Sequence, residues 1–189
     1  MSSNQSASTT TSTVQVQASL SLDDDCTNKF ITLVSQEGER FEVPQSQAVL
    51  SKLIKSALEM DPNASEIQVN VSTSLMHYIV EYFRLCNGVE MPAITKPLRS
   101  NDLKQCINHE GNHVFIEGFY TATCGESNLA LYNLINAANY LSFDSLLFIA
   151  CAKVAWIVKT TPVDKLKPVL HRGLEIPQQQ ELKEEKENK

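Results

Sequence analysis

Residues 136–148 read NAANYLSFDSLLF and lie within the longest apolar stretch of the chain, which runs from Leu129 to Val158. The stretch predicts two helices, the second beginning at Ser142 or Asp144. In the first helix, apolar side chains recur at helical spacing, at Leu131, Leu134, Ile135, Ala138 and Leu141. The second helix, SFDSLLFIACAKVAWIVK, is apolar on nearly every side. We therefore expect other elements, or a partner protein, to cover two of its sides.

Composition limits the class of protein. The apolar stretch is interrupted by polar residues, whereas a membrane-spanning helix needs about 20 nearly uninterrupted apolar residues, so no membrane span is predicted. The interrupting positions are Asn133, Asn136, Asn139, Asp144 and Lys153. A formal net charge of −6 argues against non-specific binding to nucleic acid or to an anionic membrane.

The cysteines and the first residues bear on cellular location. The 5 cysteines are irregularly spaced and contain no CxxC pair, which is typical of reduced thiols in an intracellular protein. The N-terminal residues lack the basic and then apolar pattern of a secretory signal. We therefore expect a cytoplasmic or nuclear location, or both.

Both ends of the chain are predicted to lack a fixed fold. Residues 1–28 are rich in Ser and Thr and contain too few apolar side chains to offset the entropy lost on ordering, so a disordered tail is expected. The final stretch, QQQELKEEKENK, is highly polar and has little apolar face. It is predicted to be frayed, or to become helical only on a partner.

The region between these tails predicts a mixed α+β fold. FITLV (30–34) and FEV (41–43) alternate between polar and apolar residues around a glycine-containing turn, which indicates a β-hairpin with one buried side. AVLSKLIKSAL (48–58) predicts one core helix, EIQVNV (66–71) a third strand, and STSLMHYIVEYFRL (72–85) a second core helix. A small sheet with helices clustered on one side is the expected architecture.

The pattern weakens between residues 87 and 128. SNDLKQCI (100–107) is consistent with a short helix, but HVFIEGFY (113–120) carries apolar residues without a clear period, so we expect an irregular insertion. After the two long helices, Thr161-Pro162 predicts the start of a third, VDKLKPVL, which Pro168 is expected to interrupt. This helix is too short to persist unaided, so we expect it to order fully only on a partner.

The ordered set of these segments resembles a known family. FITLVSQEGERFEV, AVLSKLIKSAL, IQVNV with LMHYIVEY, and residues 131–170 are similar, in this order, to the SCF ubiquitin ligase adaptors of the S-phase-kinase-associated protein family, which have a BTB/POZ fold. Within 131–170 the matching positions are Ala137, Ala138, Asn139, Tyr140, Leu141, Leu146, Leu147, Cys151, Val154, Ala155, Thr161 and Pro162. The chain is identified on this resemblance as a divergent member.

The resemblance implies three parts. Residues 1–28 form the tail, residues 29–142 a BTB/POZ-like domain that carries the irregular insertion 87–128, and residues 143–189 the C-terminal F-box-binding helices with a polar tail. Near the end of the chain, Lys186-Glu187-Asn188 is followed by Lys189, where the family has Gln-Trp. This departure affects the C-terminal contact with an F-box.

The resemblance also implies that Asn139 and Tyr140 project from the end of a helix and bind the N-terminal domain of a cullin. A tyrosine ring suits this role, because it offers a large contact area at low entropic cost. The residues alone leave a second interpretation open, in which Tyr140 covers the core and Asn139 is the left-handed residue after the helix.

The following apolar helix and its neighbours are expected to bind F-box proteins. The residues that the resemblance implies for this contact are Ile135, Leu146, Leu147, Ile149, Cys151, Val154, Val158, Leu166 and Val169. The alternative is a buried core helix, and some of these side chains must serve the core. Trp156 fits either a core position or an interface.

Zinc binding and catalysis by a cysteine are the two chemical alternatives to an adaptor role. Cys106, His109, His113 and Cys124 have the side chains of a zinc site. The spacing after His113 is long for a zinc finger and there is no second CxxC-like pair, so no metal or other cofactor is predicted. A cysteine nucleophile needs a paired histidine and an orienting group, and the sequence offers no such set. The chain is therefore predicted not to be an enzyme.

The resulting prediction is an adaptor subunit of an SCF-type cullin-RING ubiquitin ligase that joins a cullin to F-box substrate receptors, without binding nucleic acid or membrane. Two alternatives remain open: a BTB-type scaffold, and an elongin C-like or kinetochore interaction protein without a role in ubiquitin ligation.

Overall fold

The computed structural model describes residues 29–94, 96–107, 109–125, 127–171 and 174. The predicted tails, residues 1–28 and the polar stretch after residue 174, lie outside the described residues. Within them, three strands and eight helices form a mixed α+β fold, as the sequence predicts.

The sheet has the strand order β2-β1-β3. Strands β1 (Phe30–Val34) and β2 (Arg40–Pro44) form the predicted antiparallel hairpin, and β3 (Glu66–Gln68) pairs with β1 in parallel. Alternation places Leu33 and Val43, each 0% exposed, on the face that packs against the helices.

The helical region that follows the hairpin differs from the prediction. The expected single helix is divided into α1 (Gln45–Ala48) and α2 (Lys52–Met60), because the extended Ser51 between them accepts a hydrogen bond from the Ile54 N–H as an N-cap. Helix α3 (Thr73–Cys86) is the predicted second core helix, and it ends at Asn87, which adopts a left-handed conformation with φ 48°.

The segment between residues 87 and 128 is more regular than predicted. It contains the expected short helix α4 (Leu103–Ile107) and also α5 (Glu110–Thr123), a helix of 14 residues that the sequence analysis did not predict. The rings of Phe115 and Phe119 on α5 lie 4.8 Å and 4.9 Å from those of Tyr82 and Tyr78 on α3. The apolar residues of α5 contact more than one neighbouring helix, so they do not repeat as a single stripe.

Three further helices complete the fold: α6 (Leu129–Tyr140), α7 (Asp144–Thr160) and α8 (Val163–Leu170). They join the same core, in which Phe143 stacks on Phe83 with ring centroids 4.7 Å apart. Burial raises the pKa of Tyr82 well above its ordinary range, so its hydroxyl stays protonated and donates to Asn112 Oδ1 at 3.0 Å.

Candidate protein-interaction surfaces

The junction between α6 and α7 is a Schellman motif. The Phe143 N–H donates to the Ala138 carbonyl at 2.9 Å, and the Ser142 N–H donates to the Asn139 carbonyl at 3.0 Å. Ser142 takes the left-handed position with φ 49°, while Phe143 returns to the core beside Ala138. This pattern of bonds explains why α6 stops within the NYLSF stretch and where α7 begins.

Helix α2 holds this junction in place. Ser51 Oγ donates to the Leu141 carbonyl at 2.6 Å, and the backbone N–H groups of Lys52 and Leu53 donate to the carbonyls of Ser142 and Leu141 at 3.3 Å. The Lys52 ammonium also pairs with the Asp144 carboxylate. Contacts with α2 therefore fix the inner side of the last turn of α6, and the side chains on its outer side face solvent.

Asn139 and Tyr140 lie on that outer side. Asn139 is exposed, and Tyr140 is 41% exposed although Leu141 beside it is fully buried. The Tyr140 hydroxyl accepts a hydrogen bond from the Asn70 N–H at 3.3 Å, which orients the ring. The alternative interpretation is wrong about Asn139, because the residue is helical and Ser142 holds the left-handed position.

Helix α7 has one buried and one outward face. Leu146 and Ile149 are 0% and 1% exposed, so in the free protein these two predicted F-box residues belong to the core. Four other predicted residues follow the spacing i, i+4, i+7, i+11 and form a half-exposed or exposed row. We call this row the α7 outer stripe: Leu147, Cys151, Val154 and Val158.

The remaining predicted F-box residues lie on the neighbouring helices. Ile135 on α6 and Val169 on α8 are half-buried and pack against the same core as Leu147 and Val154. Leu166 on α8 is also half-buried. The structure thus distributes the predicted set over three helices, with five half-buried side chains, two exposed ones and two in the core.

Helix α8 is already attached to α6. Asn128 Nδ2 donates to the Val169 carbonyl at 2.7 Å, and the Tyr132 hydroxyl donates to the Leu170 carbonyl at 2.8 Å. These bonds satisfy carbonyls that the end of a helix otherwise leaves without a partner. Pro168 lies inside α8, so the expectation that it interrupts the helix is wrong. Residues 163–170 are helical in the free chain, so the expectation that this helix orders fully only on a partner is wrong. The same expectation for residues 175–189 lies outside the described residues.

Lys153 is a buried charged residue whose pairing the sequence analysis did not predict. It is 2% exposed on the buried face of α7, and its ammonium lies 2.6 Å from the Glu117 carboxylate on α5. The rings of Tyr120 and Trp156 flank the same ammonium at 4.4 Å and 4.6 Å. The spacing Ile149, Lys153, Ile157 is the available signal, because it places a lysine on an otherwise apolar helical face.

Residues 96–101, which we call the crossing segment, lie against α7. The Trp156 indole N–H donates to the Asn101 carbonyl at 2.7 Å, and Lys159 Nζ donates to the carbonyls of Leu98 and Ser100 at 2.9 Å and 3.1 Å. Trp156 is half-buried, and its indole binds the crossing segment. Neither the predicted core position nor the predicted interface position describes it fully.

The residues weighed as a zinc set have separate structural roles. The Cys106 thiol donates to the Ser100 carbonyl at 3.3 Å, and His109 Nδ1 accepts from the Asn112 N–H at 3.2 Å as the N-cap of α5. Cys124 is buried at the end of α5. Among the described residues, no three His, Cys, Asp or Glu side chains come together as metal ligands.

Cys151 is an exposed residue on α7 that is partly shielded from solvent. Loss of solvent around the sulfur raises the pKa of the Cys151 thiol, and the positive charge of Lys96 acts in the opposite direction. The thiol is therefore protonated near neutral pH and packs as an apolar group.

Within the part of the chain that the structure describes, no helix is long and apolar enough to cross a membrane.

Comparison with known proteins identifies the class. The family model described as "Skp1 family, tetramerisation domain" matches residues 29–87, which comprise the sheet and α1 to α3. A small sheet with clustered helices and this match define a BTB/POZ-like fold, followed here by α7 and α8.

Whole-chain relatives identify the family. The chain is 30% identical to the "S-phase kinase-associated protein 1 homolog" of Tetrahymena thermophila, over 84% of this chain and 92% of that protein. It is 26% identical to "SKP1-like protein 11" and 28% identical to "SKP1-like protein 9" of Arabidopsis thaliana, each match covering 85% of this chain and 95% of the relative. The chain belongs to the Skp1 family.

Proposed function

We propose that the chain is a non-enzymatic adaptor of an SCF-type cullin-RING ubiquitin ligase, which joins the N-terminal domain of a cullin to F-box substrate receptors. Membership of the Skp1 family supports the adaptor role. The observation that carries the proposal is that consecutive helices, α6 and α7, present two different exposed surfaces, one at Tyr140 and one along the α7 outer stripe.

The end of α6 is the proposed cullin surface. Asn139 and Tyr140 are exposed on a turn that hydrogen bonds from α2 hold in place, so few degrees of freedom are lost when a partner binds. The Tyr140 ring adds contact area, and its hydroxyl is oriented by the Asn70 N–H. A rigid aromatic residue with a polar neighbour is typical of residues that dominate binding energy at interfaces.

The α7 outer stripe and the adjoining faces of α6 and α8 form the proposed F-box surface. Leu147, Val154, Ile135 and Val169 are each half-buried against the core, so they present apolar area from a rigid base. Cys151 and Val158 extend this area along α7, where Val158 is 39% exposed. An F-box that covers the stripe removes apolar surface from water, which is the main favourable contribution to such an association.

No cofactor is required for this role, and the proposed location is the cytoplasm, the nucleus or both. Affinity purification of the tagged full chain under native conditions, followed by mass spectrometry, tests the proposal. We expect a cullin together with several F-box proteins. Recovery of the chain with copies of itself alone would favour a BTB-type scaffold and contradict the proposal.

A further inference from the structure

Helix α7 and the crossing segment enclose a groove with a volume of about 450 Å³. Apolar groups line most of it: Leu98 from the crossing segment, and Leu147, Phe148, Cys151, Ala152 and Ala155 from α7. Two of these, Leu147 and Cys151, also belong to the α7 outer stripe. The groove is therefore continuous with the proposed F-box surface.

Lysine side chains lie towards both ends of this groove. Lys96 Nζ is 4.1 Å from the centre of the Phe148 ring, whereas Lys159 Nζ donates to two carbonyls of the crossing segment. An ammonium has three donors, so Lys159 retains one for another acceptor. Among the described residues no carboxylate lies within ion-pair distance of either ammonium, and no Asp or Glu lines the groove.

This charge pattern is opposite to that of the chain as a whole, which has a formal net charge of −6. Ring and carbonyl contacts orient the two ammonium groups but do not neutralise them. An apolar surface with unneutralised cations at its ends is complementary to an apolar helix that carries carboxylates. Lys159 lies eleven positions after Phe148 on α7, which corresponds to roughly 16 Å along the helix axis, or three helical turns.

We propose that this groove selects among partners by charge: it binds an apolar helical segment of an F-box protein that carries Asp or Glu side chains about three turns apart, opposite Lys96 and Lys159. The inference rests on the proposed function, because it takes the F-box as the occupant of α7. It adds a specificity determinant formed by the crossing segment, which lies within the insertion 87–128.

Two synthetic helical peptides test the inference directly. Both carry the same leucine face, and they differ only in having Glu or Lys at two positions three turns apart. Fluorescence anisotropy with the full chain at low salt is expected to show about tenfold tighter binding of the Glu peptide. The preference should decrease as salt is raised, because exposed charges are screened.

Variants of the chain locate the effect. Lys96→Glu should remove most of the preference for the Glu peptide, whereas Lys55→Glu, which changes an exposed lysine on α2 outside the groove, should retain it. Lys159 also holds the crossing segment, so Lys159→Arg should preserve the preference and Lys159→Met should reduce it. Equal affinity for the two peptides, no binding of either, or equal losses in Lys96→Glu and Lys55→Glu would overturn the inference.

Competition with a recombinant F-box domain separates this inference from the proposed function. We expect the domain to displace the bound Glu peptide. A charge preference without displacement would contradict the placement of an F-box on α7, while the charge selectivity of the groove would stand. Displacement without a charge preference would overturn the inference and leave the proposed function intact.

Discussion

The end of α6 and the outer face of α7 follow each other in the sequence, yet they are exposed for different reasons. At the end of α6, hydrogen bonds from α2 fix the backbone behind Asn139 and Tyr140, and the exposed surface is one ring with an amide beside it. Along α7 the buried face packs on the core, and the exposed surface is a row of apolar side chains continuous with a groove that has lysines towards its ends.

The difference explains how one short stretch presents two separate surfaces, one for each of the two proposed partners. Ser142, in its left-handed conformation, ends α6 and lets α7 begin in a new direction, so the two surfaces share a junction but no side chains. The surface at the end of α6 centres on one tyrosine ring, so a contact there is sensitive to a single substitution. A contact spread over an apolar row depends more on total buried area. Substitutions at the two surfaces should therefore separate the two binding activities.

The largest expected effect distinguishes the two faces of α7. Leu146→Ala should lower the free energy of unfolding by about 3 kcal/mol, because Leu146 is fully buried and its removal leaves a cavity. Leu147→Ala, one residue later and half-buried, should cost less than about 1.5 kcal/mol but weaken F-box binding. Urea unfolding and titration with an F-box domain measure the two effects. Equal losses of stability would contradict the assignment of faces.

The next effect concerns the end of α6. Asn139→Ala with Tyr140→Ala should weaken cullin binding by at least about 2 kcal/mol, because an exposed aromatic anchor is lost. F-box binding and the melting temperature should change little, since neither side chain belongs to the core. Isothermal titration with a cullin N-terminal domain is the measurement. Asn136→Ala, exposed one turn earlier on α6, is the matched control and should bind as the unmodified chain does.

A smaller effect concerns the buried pair that joins α5 to α7. Glu117→Gln should lower the free energy of unfolding by about 1.5 kcal/mol, because a neutral amide no longer balances the positive charge of the buried Lys153 ammonium. Lys153→Met should cost less, because the partly exposed Glu117 carboxylate regains water. Urea unfolding compares the two variants. Glu110→Gln, which disrupts an exposed pair with Lys104, is the control and should have little effect.

The smallest effect tests the junction itself. Ser142→Gly should raise the free energy of unfolding by about 0.5 kcal/mol, because glycine adopts a positive φ without a steric cost. Ser56→Gly, on the exposed side of α2, should instead lower it by a similar amount, because glycine is unfavourable inside a helix. Thermal unfolding gives both signs. A loss of stability in both variants would contradict the left-handed assignment of Ser142.

The sequence predicts those parts of the fold in which one face of an element is buried. Alternation in FITLV and FEV predicts the hairpin, and helical spacing predicts α3 and α6. Helix α7 is predicted from its long apolar run instead, because its sequence is apolar on nearly every side. Helix α5 could not be predicted in this way, because it packs against α3, α4, α6 and α7 and its apolar residues therefore do not form a single stripe. The division of α1 from α2 depends on Ser51, whose hydroxyl donates to a carbonyl 90 positions away.

The candidate surfaces are predictable in position but not in detail. The resemblance points to residues around Asn139 and along α7, yet it cannot separate Leu146 in the core from Leu147 at the surface without the orientation of the helix. The pairing of Lys153 with Glu117, and the contacts of Lys96 and Lys159, join positions far apart in sequence. No local pattern specifies such contacts.

Sedimentation of a reconstituted mixture tests the central claim most directly. The purified chain, a cullin N-terminal domain and an F-box domain are combined, and the mass of the complex is measured by analytical ultracentrifugation. Two separate surfaces predict one complex that contains a copy of each component, with the F-box domain retained when cullin is added. Displacement of one partner by the other would contradict the account, because it would mean that cullin and F-box compete for the same surface.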